Sequence, residues 1–540
     1  MKARPELAAY HKLRVSGMIN GPGSARGKGL LIWGYILQAE IAMGTQFIVT
    51  KPDRLLYVIL GCLSEILPMP RHGRGGERIM AYLNAMYGLT ERENMMKIVY
   101  DSMRSYAINE GLHVELRRFS AFDPVSKTCY LSTYDGLMWK LDGQSIARVP
   151  SGEGEVFFID DDGGVPVEPD IGPHGLLIDY LTSINFSDHG LGGISADSQR
   201  RALIVWMFAL AFPDLMPTKP LLVLEGAQGA GKTASIQLVQ AALMGKLKSM
   251  MISRNQENDF GVLLLRAPIA LLDNIDTYID WVADKVCAYT TGGEFPKRRL
   301  WTDDEDVVIK PHAFIAVASK NPSSFRREDV ADRCVILRLE RRDSFERFQR
   351  LLERTVMMRP KLFGEYLYYV NQMVATIRDG IYEEGAKETH RMADFSALGR
   401  VVAKVLGWSG DEISELMAGL QNERDAFITE EDPLTDLLHH WISYKPRMGP
   451  TNIGREVSIH QLFQELDSIA QAQGIQWYKS PRQLSQKIRS SHITRDFIVQ
   501  MLAVDGRKSY RIWRHTDAQL SVIPGGDDEP LKLAGDLADE

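Results

Sequence analysis

The sequence predicts a multidomain α/β protein centred on a phosphate-binding strand–loop–helix. Three observations carry this. An apolar strand, Leu221–Leu224, runs into Gly226-Ala227-Gln228-Gly229-Ala230-Gly231-Lys232-Thr233, and a helical pattern follows at once. From about residue 175 to 345, helical patterns alternate with short apolar runs, as in a buried sheet flanked by helices. The 540 residues suffice for about three to five domains at roughly 100–200 residues each.

Composition narrows the setting. Apolar residues make up 45% and charged residues 25%, which is ordinary for a globular chain. The net charge of −7 excludes a chain that coats nucleic acid by bulk positive charge, so any such contact must be local. The four cysteines, Cys62, Cys129, Cys287 and Cys334, are too few and too scattered for a disulfide framework or a CxxC site. The apolar run Ala202–Phe212 is shorter than the roughly 20 residues a bilayer requires and reads as a buried helix. The N-terminus lacks a signal-type apolar stretch. A cytoplasmic protein without membrane contact is expected.

The chain divides as follows. Residues 1–155 are expected to form a mixed α+β domain of unassigned role. In its first 30 residues, GPGSARGKG imitates a phosphate loop, but Pro22 and Gly29 stand where Gly and Ser/Thr are needed; a flexible arm or turn is expected. Helical periodicity covers Glu77–Gly111, and short strands follow from His113 to Val149. Residues 156–174 read as a linker, with Asp160-Asp161-Asp162 a solvated turn rather than a metal cluster. Residues 175–345 form the expected core, 346–428 a helical stretch, 432–515 a compact C-terminal unit, and 516–540 an acidic disordered tail.

The loop's chemistry follows from its residues. Glycines let the backbone curl so that N–H groups face phosphate oxygens, and the helix N-terminus adds partial positive charge. Lys232 is expected on the β and γ phosphates, and Thr233 on Mg2+. About 40 residues on, Ala267–Asp276 is a second apolar strand that exits through Asp273, the expected partner of the metal. Asn274 follows where many such ATPases carry Glu. An amide orients water but cannot take its proton, and Asp276 is the alternative base. A third strand, His312–Ser319, ends at Lys320-Asn321, and the Asn321 amide suits water positioning. Before the last strand, Cys334–Leu339, stand Arg326, Arg327 and Arg333. Arg333 is the first choice for a guanidinium that reaches a neighbour's nucleotide, ahead of Arg326 and Arg327; its plainer role is a surface pair with Asp332.

GAQGAGKT, LLDNID, AVASKN, REDVADR and HRMADF, in this order over about residues 175–425, resemble the AAA+ class of ring ATPases. They resemble more closely the helicase modules of viruses, phages and integrated elements: superfamily-three helicases and the poxvirus-type primase-helicase group. The resemblance implies an AAA+ P-loop core with a helical lid, ATP and Mg2+ between subunits of a homo-oligomeric ring (a hexamer is the expected size), and a DNA single strand in the pore. Asn274 departs from the wider pattern, and no primase motif precedes the module.

Between the second and third strands, TTGGEFPKRRLWTDDEDVVIKPH reads as a hairpin with Lys297, Arg298 and Arg299 beside Trp301. In the family it resembles, a hairpin here enters the pore, and cations beside an aromatic suit a single strand. The C-terminal unit reads as a winged helix-turn-helix. Its helix at Pro481 presents Arg482, Lys487 and Arg489 with Leu484 and Ile488 inward, and a hairpin turning at Asp505-Gly506 places Arg507 and Lys508 on the wing. From Lys479 to Arg514, nine Lys or Arg against two Asp give +7, a footprint for duplex DNA.

The expected function is an ATP-driven, ring-forming DNA helicase or replication initiator of a phage or mobile genetic element, working with other replication proteins. The alternatives are a loader or regulatory ATPase that binds DNA without unwinding it, or a defence ATPase in which residues 1–155 act as sensor or effector.

Overall fold

The computed structural model describes residues 5–514, except 52–53, 71–75, 91–93, 160–163, 183, 189, 252–256, 277–278, 291–294, 299–305, 310–311, 342–345, 384–391, 430–432, 444–450, 474–476, 489–492, 494–496 and 505–506. The acidic run 160–162, Arg299, Trp301, Arg489 and the segment 516–540 lie outside the described residues. Two compact units emerge, Met1–Arg424 and Asp425–Glu540.

The first unit opens with α1 (Pro5–Asn20), α2 (Ala25–Ala42), β1 (Gln46–Thr50), β2 (Leu56–Ile59), β3 (Ile66–Pro68), α3 (Glu77–Tyr87), α4 (Asn94–Glu110) and β4 (Leu112–Val114). The strands form a sheet in the order β3-β2-β1-β4. Its helices bury Val15, Ile32, Ile79 and Val99 in a core of their own. The expected arm over residues 1–30 is therefore largely helical. Ser24 caps α2 by accepting from the Gly27 N–H at 3.2 Å. Gly29 is buried, and a Cβ there would come within 2.8 Å of Ile98 on α4. This glycine serves helix contact, not phosphate.

β5 (Leu116–Arg117), β6 (Ser120–Asp123), β7 (Thr128–Ser132), β8 (Leu137–Leu141), β9 (Ile146–Pro150) and β10 (Phe157–Phe158) follow. β6 to β9 make an antiparallel meander, and β10 pairs with β5. Phe119 and Leu131 of this region share one apolar cluster with Trp206, Leu222 and Tyr366. The meander thus belongs with the central core, not with a separate domain ending at 155. The expected linker is tied down as well. Phe157 and Phe158 are buried, and the Asp170 N–H donates to the Pro360 carbonyl at 2.9 Å. Its Gly/Pro content resembles a linker, but its phenylalanines seek the core.

Next come α5 (Leu176–Thr182), α6 (Ala196–Ala209), β11 (Leu221–Gly226), α7 (Lys232–Met244), β12 (Ser249–Met251), α8 (Glu257–Arg266), β13 (Ile269–Asp273), α9 (Asp280–Thr290), β14 (Phe295–Arg298), β15 (Asp306–Ile309), β16 (Phe314–Ser319), α10 (Glu328–Ala331) and β17 (Cys334–Leu339). Every pairing in the five-stranded sheet β12-β13-β16-β11-β17 is parallel. Its strands are near-continuous apolar runs because helices cover both faces. α6 is buried almost all round, as its apolar run requires.

α11 (Phe348–Arg378), α12 (Ala393–Leu406) and α13 (Gly410–Thr429) follow. α11 is one 31-residue helix, and Pro360 lies within it. The second unit holds α14 (Pro433–Ser443), β18 (Val457–Ser458), α15 (Ile459–Gln473), α16 (Pro481–Ile488), β19 (Phe497–Val504) and β20 (Arg507–Arg514). Its sheet runs β18-β20-β19, and Trp441, Leu462, Leu484, Ile488 and Tyr510 fill its core.

Candidate functional site

In a parallel sheet all carboxyl ends share one edge, and ligands bind there where neighbouring crossovers diverge. β11 lies between β16 and β17, and the loop Gly226–Gly231 leaves from that edge. Gly226 packs so closely on the Leu339 carbonyl that a side chain would collide with it. Gly229 and Gly231 each take a left-handed φ of 84°. Ala227, Gln228 and Gly229 are exposed and Ala230 is buried, so the loop presents backbone outward from an anchored base.

Lys232 Nζ donates to the carbonyls of Gly226 and Ala227 at 2.7 and 2.9 Å. Burial lowers its pKa, and the carboxylates of Asp276, Asp273 and Glu225 only partly oppose this. Lys320 lies close enough to push in the same direction as burial. Thr233 Oγ1 donates to Asp273 Oδ1 at 2.8 Å, which joins the start of α7 to the end of β13. Two hard oxygen donors so placed fit Mg2+, which takes few protein ligands and completes its shell with water and phosphate. Among the described residues no cluster of three or more His, Cys, Asp or Glu forms a self-sufficient metal site.

Asn274 is exposed, with φ 58°, and its N–H donates to Ala318 O at 3.0 Å. Asn is among the few side chains that adopt this conformation readily. Asp276 Oδ1 accepts from Ser319 Oγ at 2.7 Å, Lys320 N at 2.7 Å and Asn321 N at 3.4 Å. Burial pulls its pKa up, but these bonds and the charge of Lys232 outweigh it, and the net shift is down. A carboxylate so stabilised is a poor base. Asp276 instead fixes the tip of β16, from which Asn321 projects.

The arginines differ from one another. Arg326 is 8% exposed, and its Nη2 donates to Glu225 Oε1 at 3.0 Å and to Asn321 Oδ1 at 3.4 Å. It is therefore an internal side chain and not a candidate for reaching a neighbour. Arg327 pairs with Asp284 and Asp329. Arg333 Nη1 donates to the Asp329 carbonyl and to Cys287 Sγ. Burial and the Asp329 carboxylate push the Cys287 thiol up, so it stays neutral beside Arg333. Asp332 is buried and accepts from Arg424 Nη1 at 2.9 Å, so it is not the surface residue expected. Glu225 was not anticipated. An acidic residue closing the apolar run Leu221–Leu224 was the signal available for it.

β14 and β15 pair as an antiparallel hairpin, with Lys297 opposite Val307 and Arg298 opposite Asp306. In the second unit, Arg482 is exposed on α16 and Lys487 is half-buried. The Ser480 hydroxyl accepts from Gln483 N, and Leu484 and Ile488 face the core. Arg507 and Lys508 begin β20, opposite Val504 and Ala503. Arg511 pairs with Glu456 and Arg514 bonds the His439 carbonyl, so part of the local positive charge is spent inside the unit.

Residues 190–410 match the protein family described as actinomycete integrative conjugative element replication protein. No curated protein matches the chain. Among solved structures, the apo C-terminal region of NrS-1 is similar at 10% identity and a TM-score of 0.43, over 88% of this chain and 99% of that one. A structure titled SCCmec type IV Cch, active helicase, is similar at 12% identity and a TM-score of 0.47, over 88% of this chain and 94% of that one. Among the described residues, no helix is long and apolar enough to cross a membrane.

Proposed function

We propose that the chain is an AAA+-type ATPase that acts on DNA in the replication of a mobile genetic element, as a ring-forming helicase or initiator. One observation carries this: the phosphate loop, the Thr233–Asp273 pair and the Asn321 tip converge on one edge of a parallel sheet. The match of residues 190–410, which contain all three, to a replication family supports the same reading.

In this reading Lys232 leaves its loop carbonyls for nucleotide phosphates, and Thr233 and Asp273 hold Mg2+. Bound there, the metal neutralises charge on the phosphates. Asp276 is no strong base, since it is engaged by Ser319 and Lys320 and its pKa is lowered. Phosphoryl transfer through a loose transition state asks mainly for positioning and charge. Asn274 and Asn321 meet that need by orienting water. Arg333 of an adjacent subunit would supply the remaining positive charge after leaving its contacts to Asp329 and Cys287. The hairpin with Lys297, Arg298 and Arg299 would grip single-stranded DNA. The second unit, as a winged helix, would hold duplex through Arg482, Lys487, Arg489, Arg507 and Lys508.

One observation favours a second reading. An amide at Asn274, in place of an acid, suits slow turnover, as in a loader or regulatory switch. Displacement of a labelled strand from forked DNA in ATP and Mg2+ distinguishes the two. The helicase reading predicts displacement, and DNA-stimulated hydrolysis without displacement would favour the switch.

A further inference from the structure

Four charged side chains form a buried row leading away from the nucleotide edge. Arg326 bridges Asn321 Oδ1 and Glu225 Oε1. Glu225 Oε2 lies 3.0 Å from Arg338 Nη1. The Arg338 Nε in turn donates to Glu423 Oε1 on α13. The side chains of Glu225, Arg326, Arg338 and Glu423 are 7%, 8%, 12% and 0% exposed. Glu423 Oε2 also accepts from Gly192 N at 2.8 Å.

Such a row is costly to bury, and removing one charge strands its partner without water. Apolar residues of similar size would serve packing as well. Its two ends explain its placement. One end orients the Asn321 amide, which the nucleotide-site reading sets beside the attacking water and the γ-phosphate. With Oδ1 accepting from Arg326, the donor of the Asn321 amide is Nδ2, and the bond fixes which way the amide faces. The other end fixes α13 immediately before the border between the two units. Arg424 adds a second tie there through Asp332.

We propose that Arg326 is a positioning residue for Asn321, and that the row Arg326–Glu225–Arg338–Glu423 couples γ-phosphate occupancy to helix α13. This rests on the nucleotide-site reading above. A shift of Asn321 toward phosphate loosens or tightens its bond to Arg326. The ion pairs run on from Arg326 through Glu225 and Arg338 to Glu423, and the change follows them to α13.

The test uses the full chain, Mg2+ and a non-hydrolysable ATP analogue, with hydrogen exchange read over 410–423. In the wild type the analogue is expected to change exchange there. Glu423→Gln, which keeps an acceptor for Gly192, should bind the analogue within about threefold of wild type yet lose most of that change. The double variant Arg338→Met/Glu423→Gln removes both charges of the outer pair, leaves Glu225 paired with Arg326, and guards against a folding defect in the single variant. Arg326→Gln should lower kcat about tenfold or more with KM nearly unchanged, as a misplaced amide would. An unchanged exchange response in both 423 variants overturns the coupling while the nucleotide site stands. Failure of the wild type to bind the analogue overturns both.

Discussion

The Thr233 hydroxyl donates to Asp273 Oδ1 at 2.8 Å across 40 residues of sequence. Neither residue needs to move far to share a cation. Thr233→Ala and Asp273→Asn should each lower Mg2+-dependent ATP hydrolysis by about 10²-fold or more, since a metal supplies several kcal/mol of charge stabilisation. Chelation with EDTA should abolish turnover, and excess Mg2+ should restore it. Phosphate release measured across a Mg2+ titration checks both.

Arg333 is tethered to its own chain through Asp329 and Cys287. Arg333→Ala should therefore fold and bind ATP but lose about 10³-fold in turnover if the guanidinium acts on a neighbour's nucleotide. Mixing it with Lys232→Ala protein should recover part of the activity, because mixed interfaces pair an intact loop with an intact Arg333. Hydrolysis across a mixing series reads this directly, and a linear loss without recovery would contradict action between subunits.

His312, where the chain enters β16, is held at both ring nitrogens. Nε2 lies 2.6 Å from Glu115 Oε1, and Nδ1 lies 2.9 Å from Arg117 Nη1. A neutral ring fits both partners. Burial lowers its pKa, Arg117 and Lys219 act in the same direction, and Glu115 opposes them. The folded pKa thus lies below the unfolded value of about 6.5, and the unfolded chain binds more protons as pH falls through that value. Stability from neutral His312 is complete above about pH 6.5 and is lost as pH falls toward the folded pKa. The Tm should drop between about pH 7.5 and pH 5.5, and His312→Gln should flatten the drop. The comparison of the two proteins is needed because His11 is also shifted down by burial.

Arg482 is exposed and Lys487 half-buried on α16. If they meet phosphates, each alanine variant should reduce the slope of log affinity against log salt by about 0.9 for duplex DNA. Binding measured at several salt concentrations tests this. A truncation that removes the whole unit should begin after Arg424, because α14 supplies Trp441 and Leu437 to the same core as α15 and α16. An unchanged slope would point to protein recruitment instead.

The strands at Leu221, Ile269, Phe314 and Cys334 were readable because each is an apolar run that ends in a polar exit. The loop between Gly226 and Thr233 was readable because its chemistry is local. The clamp of Asp276 on Lys320 was not, since the partners stand 44 residues apart. The Arg326–Glu225 bond spans 101 residues, and the same arginine looked in sequence like an outward-reaching one. The flexible arm expected over residues 1–30 failed for the same reason: Gly29 of α2 packs on Ile98 of α4, a tertiary contact that no local pattern reveals. The short strands of the meander were legible, whereas its membership in the central core depended on which helices it would meet.

The most direct measurement is ATP hydrolysis and ATP binding by the full chain and by Lys232→Ala in the same buffer with Mg2+ and single-stranded DNA. The wild type is predicted to bind and hydrolyse ATP, while the variant loses both, because no other side chain in the loop Gly226–Thr233 carries positive charge. Equal hydrolysis by the two proteins would contradict the assignment of the phosphate site to this loop.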